Sequence, residues 1–144
     1  FEKMHDVSAD DDYWHGRSSV TNLQAHLVFV TKYRREVFTG QMLTECEAVM
    51  RNAAQALGAA VVEFNGESDH VHLVVKLPPG VSIASLVRSM KGASSRHLRT
   101  HHWEHLQKRL WGGHLWSPSY FAASSGGVTL DVLKRYIGNQ NRPV

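Results

Sequence analysis

Disulfides, membrane spans and nucleotide-binding loops are all missing from this sequence. Cys46 is the only cysteine among 144 residues. No bridge can form within the chain, and a reducing cytoplasm is the compartment that suits it. Cys46 falls on the apolar stripe of a predicted helix, which reads as a buried, inert thiol rather than a nucleophile. No stretch approaches the roughly 20 apolar residues of a transmembrane helix, so no membrane partner is expected. The first 22 residues are polar and acidic, unlike a signal peptide. There is no Gly-x-x-x-x-Gly-Lys loop, so chemistry driven by ATP is not expected. Acidic residues are scarce in the second half. Residues 82–144 hold only Glu104 and Asp131 against nine Lys and Arg, a balance of +7, whereas residues 1–81 carry −4. A basic half suits either a phosphate-binding surface or a solvated helix face.

The hydrophobic fraction of 42% is enough for one real core. Residues 1–22 are expected to be a flexible, acidic lead-in and 23–144 a single domain. Leu23 to Tyr33 predicts a strand, rich in β-branched and aromatic residues. Gln41 to Leu57 predicts a helix: Met42, Cys46, Val49, Ala53 and Leu57 recur at helical spacing, Thr39 or Gly40 starts it, and Gly58 ends it. Ala60 to Gly66 and His70 to Leu77 predict an antiparallel hairpin across Glu67-Ser68-Asp69, stopped by Pro78-Pro79-Gly80. A second helix is predicted from Ser82 to His97 or slightly beyond, a strand from His114 to Ala123, and a last helix from Thr129 to Asn141. Ser124-Ser125-Gly126-Gly127 links the last two, as an ordinary loop or a hinge. The order β-α-β-β-α-β-α implies an α/β (α+β) fold: a ferredoxin-like antiparallel sheet (β-α-β-β-α-β) with helices on one face. The extra C-terminal helix then has to cover the other face or pack on a neighbouring subunit.

Chemistry concentrates in two places. Along a strand, alternation points His70, His72 and Val74 to one face and Val71, Leu73 and Val75 to the other. The two imidazoles then stand about 7 Å apart at the backbone, a separation that suits two ligands of one ion or two hydrogen-bonded core histidines. In the last helix Tyr136 and Gln140 are one turn apart on a shared face. A tyrosine there can be core or nucleophile. The Gln140 amide can be a third ligand beside His70 and His72, and such a mixed set is compatible with Mg²⁺ or Mn²⁺, Mn²⁺ being the better match for nitrogen.

Asp69-His70-Val71-His72 resembles the histidine–hydrophobic–histidine motif of HUH endonucleases. Tyr136-Ile137-Gly138-Asn139-Gln140 resembles the tyrosine helix of TnpA-type single-tyrosine transposases of bacterial insertion sequences. Thr31-Lys32-Tyr33-Arg34-Arg35-Glu36-Val37-Phe38, Met90-Lys91-Gly92 and Trp116-Ser117-Pro118-Ser119-Tyr120-Phe121 are similar to that family in the same order. Together the matches span about residues 23–141. The resemblance implies a transposase that cleaves and rejoins single-stranded DNA at insertion-sequence ends carrying hairpins. It implies Tyr136 as nucleophile, a 5′-phosphotyrosine intermediate, and Mg²⁺ or Mn²⁺ on His70, His72 and Gln140. It also implies a homodimer whose active sites are completed by the partner's tyrosine helix. Two other readings stay open: a domesticated relative processing chromosomal repeat hairpins, and a non-catalytic nucleic-acid-binding module of ferredoxin-like fold.

Lys32, Arg34, Arg35, Arg88, Lys91, Arg96 and Arg99 are candidate DNA contacts, Lys91 because the family's helix carries a lysine at the matching place. His97, His101 and His105 stand at i, i+4 and i+8. On one continuous helix they could bind zinc; protonated, they could face phosphate. One or two of Trp103, Trp111, Trp116, Tyr120 and Phe121 could stack on unpaired bases.

Overall fold

A computed structural model describes residues 14–15, 20–21, 23–110, 113–124 and 130–139. The elements are β1 (Trp14–His15), β2 (Val20–Thr21), β3 (Gln24–Val30), a 3₁₀ turn at Lys32–Arg34, α1 (Gly40–Ala56), β4 (Ala60–Glu67), β5 (His70–Lys76), α2 (Ile83–His101), α3 (Trp103–Leu106), β6 (Phe121–Ser124) and α4 (Leu130–Gly138). The main sheet has the order β4-β5-β3-β6, antiparallel throughout. This is the ferredoxin-like arrangement expected. Within the stretch expected as lead-in, β1 and β2 pair with each other as a separate two-stranded ladder.

Local signals place the helix ends. Thr39 Oγ1 accepts from Met42 N at 3.2 Å and caps α1, and Gly58 leaves it with φ 79°. Ser82 Oγ caps α2 by accepting from Ser85 N at 3.1 Å. The β4–β5 hairpin turns at Ser68-Asp69, so Glu67 pairs with His70.

Strand alternation then sorts two faces. Ala25, Leu27 and Phe29 of β3 and Val71, Leu73 and Val75 of β5 lie in the main core with Met42, Cys46, Met50 and Ala54 of α1 and Leu86, Met90 and Leu98 of α2. The opposite face carries Val28 and Val30, covered by Phe121 of β6 and Tyr136 and Ile137 of α4. Thus α1 and α2 form one layer and α4 lies on the other side of the sheet. No helix among the described residues is long and apolar enough to cross a membrane.

Two expectations are corrected. Leu23 to Tyr33 is not strand throughout: pairing with β5 ends at Val30, and Tyr33 and Arg34 take positive φ of 62° and 55°. Nor is His114 to Ala123 one strand. Trp116 bridges Thr31, and regular pairing resumes only at Phe121 opposite Val28. Between those pairings the later segment has two residues more than β3. Pro118, which cannot donate to a ladder, sits in the resulting bulge.

Candidate active site

β5 carries His70 and His72 on the face away from the main core, and both line an open cleft of about 480 Å³. Arg34, Asp69 and Val28 also line it, together with Lys134, Ile137 and Gly138 of α4. The strand therefore brings the two predicted imidazoles to one cavity, and the docked helix forms part of its wall.

The imidazoles are held differently. His70 Nδ1 lies 2.8 Å from Asp69 Oδ1, and its Nε2 lies 3.9 Å from Glu67 Oε2. Burial alone would raise the Asp69 carboxyl, but hydrogen bonds from His70 and Arg34 hold it below the usual carboxylate range. An ionised Asp69 can only accept, so the proton belongs on Nδ1 and the Nε2 lone pair is left for the cleft. His72 Nε2 lies 3.0 Å from His26 Nδ1, and the two rings stack with centroids 5.2 Å apart and planes 13° apart. Burial first, then the neighbouring His26, lowers the His72 pKa and favours a neutral ring. A neutral imidazole is the form that binds a cation, so His72 suits one nitrogen of a divalent site provided that its Nε2 exchanges His26 for the ion, and His70 Nε2 faces the same cleft. Among the described residues no three His, Cys, Asp or Glu side chains group to hold a metal ion. An ion in the cleft would need a ligand of another type beside these two histidines. Gln140, the expected third ligand, lies outside the described residues, as does most of the 124–127 link.

Tyr136 sits on another side of α4 from Lys134 and Gly138. Its hydroxyl is 3.2 Å from Ser119 Oγ and its ring packs on Phe121 with centroids 5.4 Å apart. Burial pushes its phenol upward, opposed by the Ser119 hydrogen bond. Lys91 reaches the same bulge from α2 and donates to Ser117 O at 2.7 Å and Ser119 O at 2.9 Å. Its Nζ also stands 5.4 Å from the centre of the Phe29 ring. Burial lowers its pKa to about 8. Lys91 thus supports the segment against which the tyrosine rests.

Of the other basic candidates, Arg34 is the one whose side chain lines the cleft, and it is paired with Asp69. Lys32 Nζ lies 5.5 Å from the centre of the adjacent Tyr33 ring, and Arg35 is half-buried. Arg88 and Arg96 are exposed on α2, in the layer across the sheet, and Arg99 donates to Ser95 Oγ at 3.2 Å. The histidine series is not on one helix, because α2 ends at His101 and His105 belongs to α3. His97 and His102 both meet Glu45 Oε1, at 2.8 and 2.9 Å, and His105 Nε2 meets Val37 O. Of the aromatics, Trp116 is core, its Nε1 donating to Ser94 Oγ, while Trp103 is 46% exposed and free of the main core. Trp111 lies outside the described residues.

His26, Ser119 and Lys134 were missed in the sequence. Alternation along β3 puts His26 on the same face as Val28 and Val30. Only the antiparallel register, which sets His26 against Val74 and Val28 against His72, brings it beside His72.

A family described as "Transposase IS200 like" matches residues 19–140. The chain belongs to this IS200-like transposase family. It is similar to the ISDra2 transposase TnpA of Deinococcus radiodurans, 33% identical over 126 residues that cover 88% of this chain and 89% of that one. Its fold matches the crystal structure of a candidate transposase from Deinococcus radiodurans R1 with TM-score 0.82 and 32% identity, over 90% of this chain and 98% of that one. It also shares its fold with a REP-associated tyrosine transposase solved bound to a REP hairpin. There the TM-score is 0.56 at 11% identity, over 88% and 68% of the two chains. As an IS200-like transposase the chain is a DNA-acting enzyme by family, and the resemblance read from its five motifs holds.

Proposed function

We propose that this IS200-like transposase cuts and rejoins single-stranded DNA at insertion-sequence ends through a covalent tyrosine intermediate, with metal assistance. The observation that carries the reading is a single cleft onto which β5 presents His70 and His72 and which the tyrosine helix walls. His70 and His72, with Gln140, would hold Mg²⁺ or Mn²⁺, which supplies positive charge to polarise and orient the scissile phosphate. The Tyr136 oxygen attacks phosphorus, the bond to the 3′ oxygen breaks, and that oxygen takes a proton to leave as a 3′-OH. The 5′-phosphotyrosine retains the energy of the broken phosphodiester. A DNA 3′-OH then attacks it, restoring a phosphodiester and returning the phenol. The resting phenol is protonated at neutral pH, burial pushing it further that way, so its proton must be lost during attack.

The partner DNA we propose is a single strand with hairpin ends. The hairpin-bound neighbour of the same fold supports that choice. The 33% identity to an insertion-sequence transposase favours a mobile element over a domesticated function. We also propose a homodimer with exchanged tyrosine helices. In one chain Tyr136 is turned to Ser119 and Phe121 while Lys134 and Gly138 face that chain's own cleft. Gln140 follows Tyr136 by four residues in the sequence, so docking on a partner would deliver nucleophile and third ligand together.

The test uses labelled single-stranded hairpin DNA from element ends, Mn²⁺ or Mg²⁺, and a denaturing gel. A protein–DNA adduct is expected with the wild type and none with Tyr136→Phe. An adduct that persists in Tyr136→Phe, or no adduct with either metal across many element ends, overturns the proposal.

A further inference from the structure

We propose that Arg34 is a positioning residue that fixes the tautomer and orientation of His70 by holding Asp69. Arg34 Nε donates to Asp69 Oδ2 at 3.1 Å, while Asp69 Oδ1 receives His70 Nδ1 at 2.8 Å. The three side chains are only 20%, 14% and 14% exposed, and all line the cleft. Each carboxylate oxygen thus has its own donor, and the plane of the carboxylate is set at both ends.

The backbone is bent to deliver this contact. Tyr33 and Arg34 both occupy the left-handed region, at φ 62° and 55°. For residues with a Cβ this costs on the order of 1 kcal/mol each, and it persists only where neighbours enforce it. The enforcing contacts run to the same hairpin turn that bears Asp69. Buried Thr31 donates its amide to Asp69 O at 3.0 Å and its hydroxyl to Arg35 O at 2.7 Å. Lys32 N donates to Leu115 O at 2.9 Å. The strained turn and the hairpin turn are therefore one locked unit with the guanidinium aimed at the carboxylate.

The lock matters because His70 has a competing acceptor. Glu67 Oε2 stands 3.9 Å from Nε2. With Asp69 fixed, the proton stays on Nδ1 and Nε2 offers a lone pair to the cleft. With Asp69 free to rotate into solvent, the Nε2–H tautomer is stabilised by Glu67 and the ring loses its single orientation. The tautomer claim needs no metal. Its consequence for a cation rests on the proposed function.

The 144-residue chain with ¹⁵N-labelled histidine tests this. Imidazole nitrogen spectra are recorded without metal, with the His70 signals assigned by their loss in His70→Gln. The wild type is expected in the Nδ1–H form. Arg34→Asn keeps a residue that tolerates left-handed backbone but removes the guanidinium. It is expected to show a mixture of tautomers, and Asp69→Ala a larger Nε2–H share. Mn²⁺ titrated without DNA should bind at least about tenfold more weakly to both variants. If Arg34→Asn does not fold, Arg34→Gly, which also accepts the left-handed backbone, and Asp69→Ala carry the comparison. An unchanged His70 tautomer in folded variants overturns the inference. So does an unchanged tautomer together with a DNA-binding salt slope reduced by about one, the mark of a phosphate contact. A tautomer shift in a chain whose wild type binds no Mn²⁺ supports the positioning role and overturns the metal reading instead.

Discussion

Glu45 and Asp69 each place a carboxylate against imidazole nitrogen, and the two do different work. Asp69 has a guanidinium on its other oxygen and faces a cleft. Glu45 joins α1 to the end of α2, receiving His97 and His102 on the same oxygen. Hydrogen bonds from His102 first and His97 second lower the Glu45 pKa from 4.5 to about 2. A carboxyl lowered on folding stabilises the fold fully above its unfolded value, and the contribution disappears as pH falls through the folded value. Glu45→Gln is therefore expected to lower the urea midpoint at pH 7, with the gap to wild type narrowing between pH 4.5 and 2. Urea titrations of both proteins at pH 7 and pH 3 check this, and an equal gap at both would refute it. Neither pairing was legible in the sequence, because Glu45 and His97 are 52 residues apart and meet only through helix packing. Cys46, next to Glu45 on α1, is buried with its thiol pushed up to about 12, the inert role read from the helical stripe.

At the scale of elements, the decisive feature is the uneven docking of the helices. α1 and α2 share a core with one whole face of the sheet. Among the described residues, α4 is held by Tyr136 and Ile137, packed on Val28, Val30 and Phe121. Local opening follows buried apolar contact, so α4 should detach far more readily than α2. Amide exchange is expected to be faster in Tyr136 and Ile137 than in Met90 and Leu98. Ile137→Ala should speed α4 exchange severalfold, corresponding to roughly 1 kcal/mol of lost burial. Its thermal midpoint should change little. Equal protection of α4 and α2 would contradict this picture. Most elements were readable because hydrophobic period and capping residues are local: Thr39, Gly58 and Ser82 all act as their positions suggest. The segment before β6 was not, because Trp116 and Phe121 suggest continuous strand while Pro118 interrupts the ladder.

For the whole molecule, the question is which cleft receives which tyrosine. If protomers exchange tyrosine helices, one chain supplies the histidines and the other the nucleophile. Tyr136→Phe and His72→Ala should each be inactive alone and form DNA adduct when mixed and allowed to exchange subunits. The adduct should sit on the His72→Ala chain, which a size tag on one chain makes visible. A mixture that stays inactive while forming mixed dimers sinks the exchanged arrangement and leaves each cleft served by its own chain.

Local signals in the chain sufficed for the order of the main sheet's strands and the three long helices, the ferredoxin-like class, the facing pair His70 and His72, and the family. Each of these is carried by short-range periodicity or by motifs contiguous in the chain. Tertiary structure alone decided the rest. It set His26 beside His72 through strand register, paired Arg34 with Asp69 at the cleft, and seated Tyr136 on Ser119. Such contacts depend on which side chain meets which across the sheet. Pairing between distant strands and the packing of one helix fix that, and neither leaves a local mark in the chain.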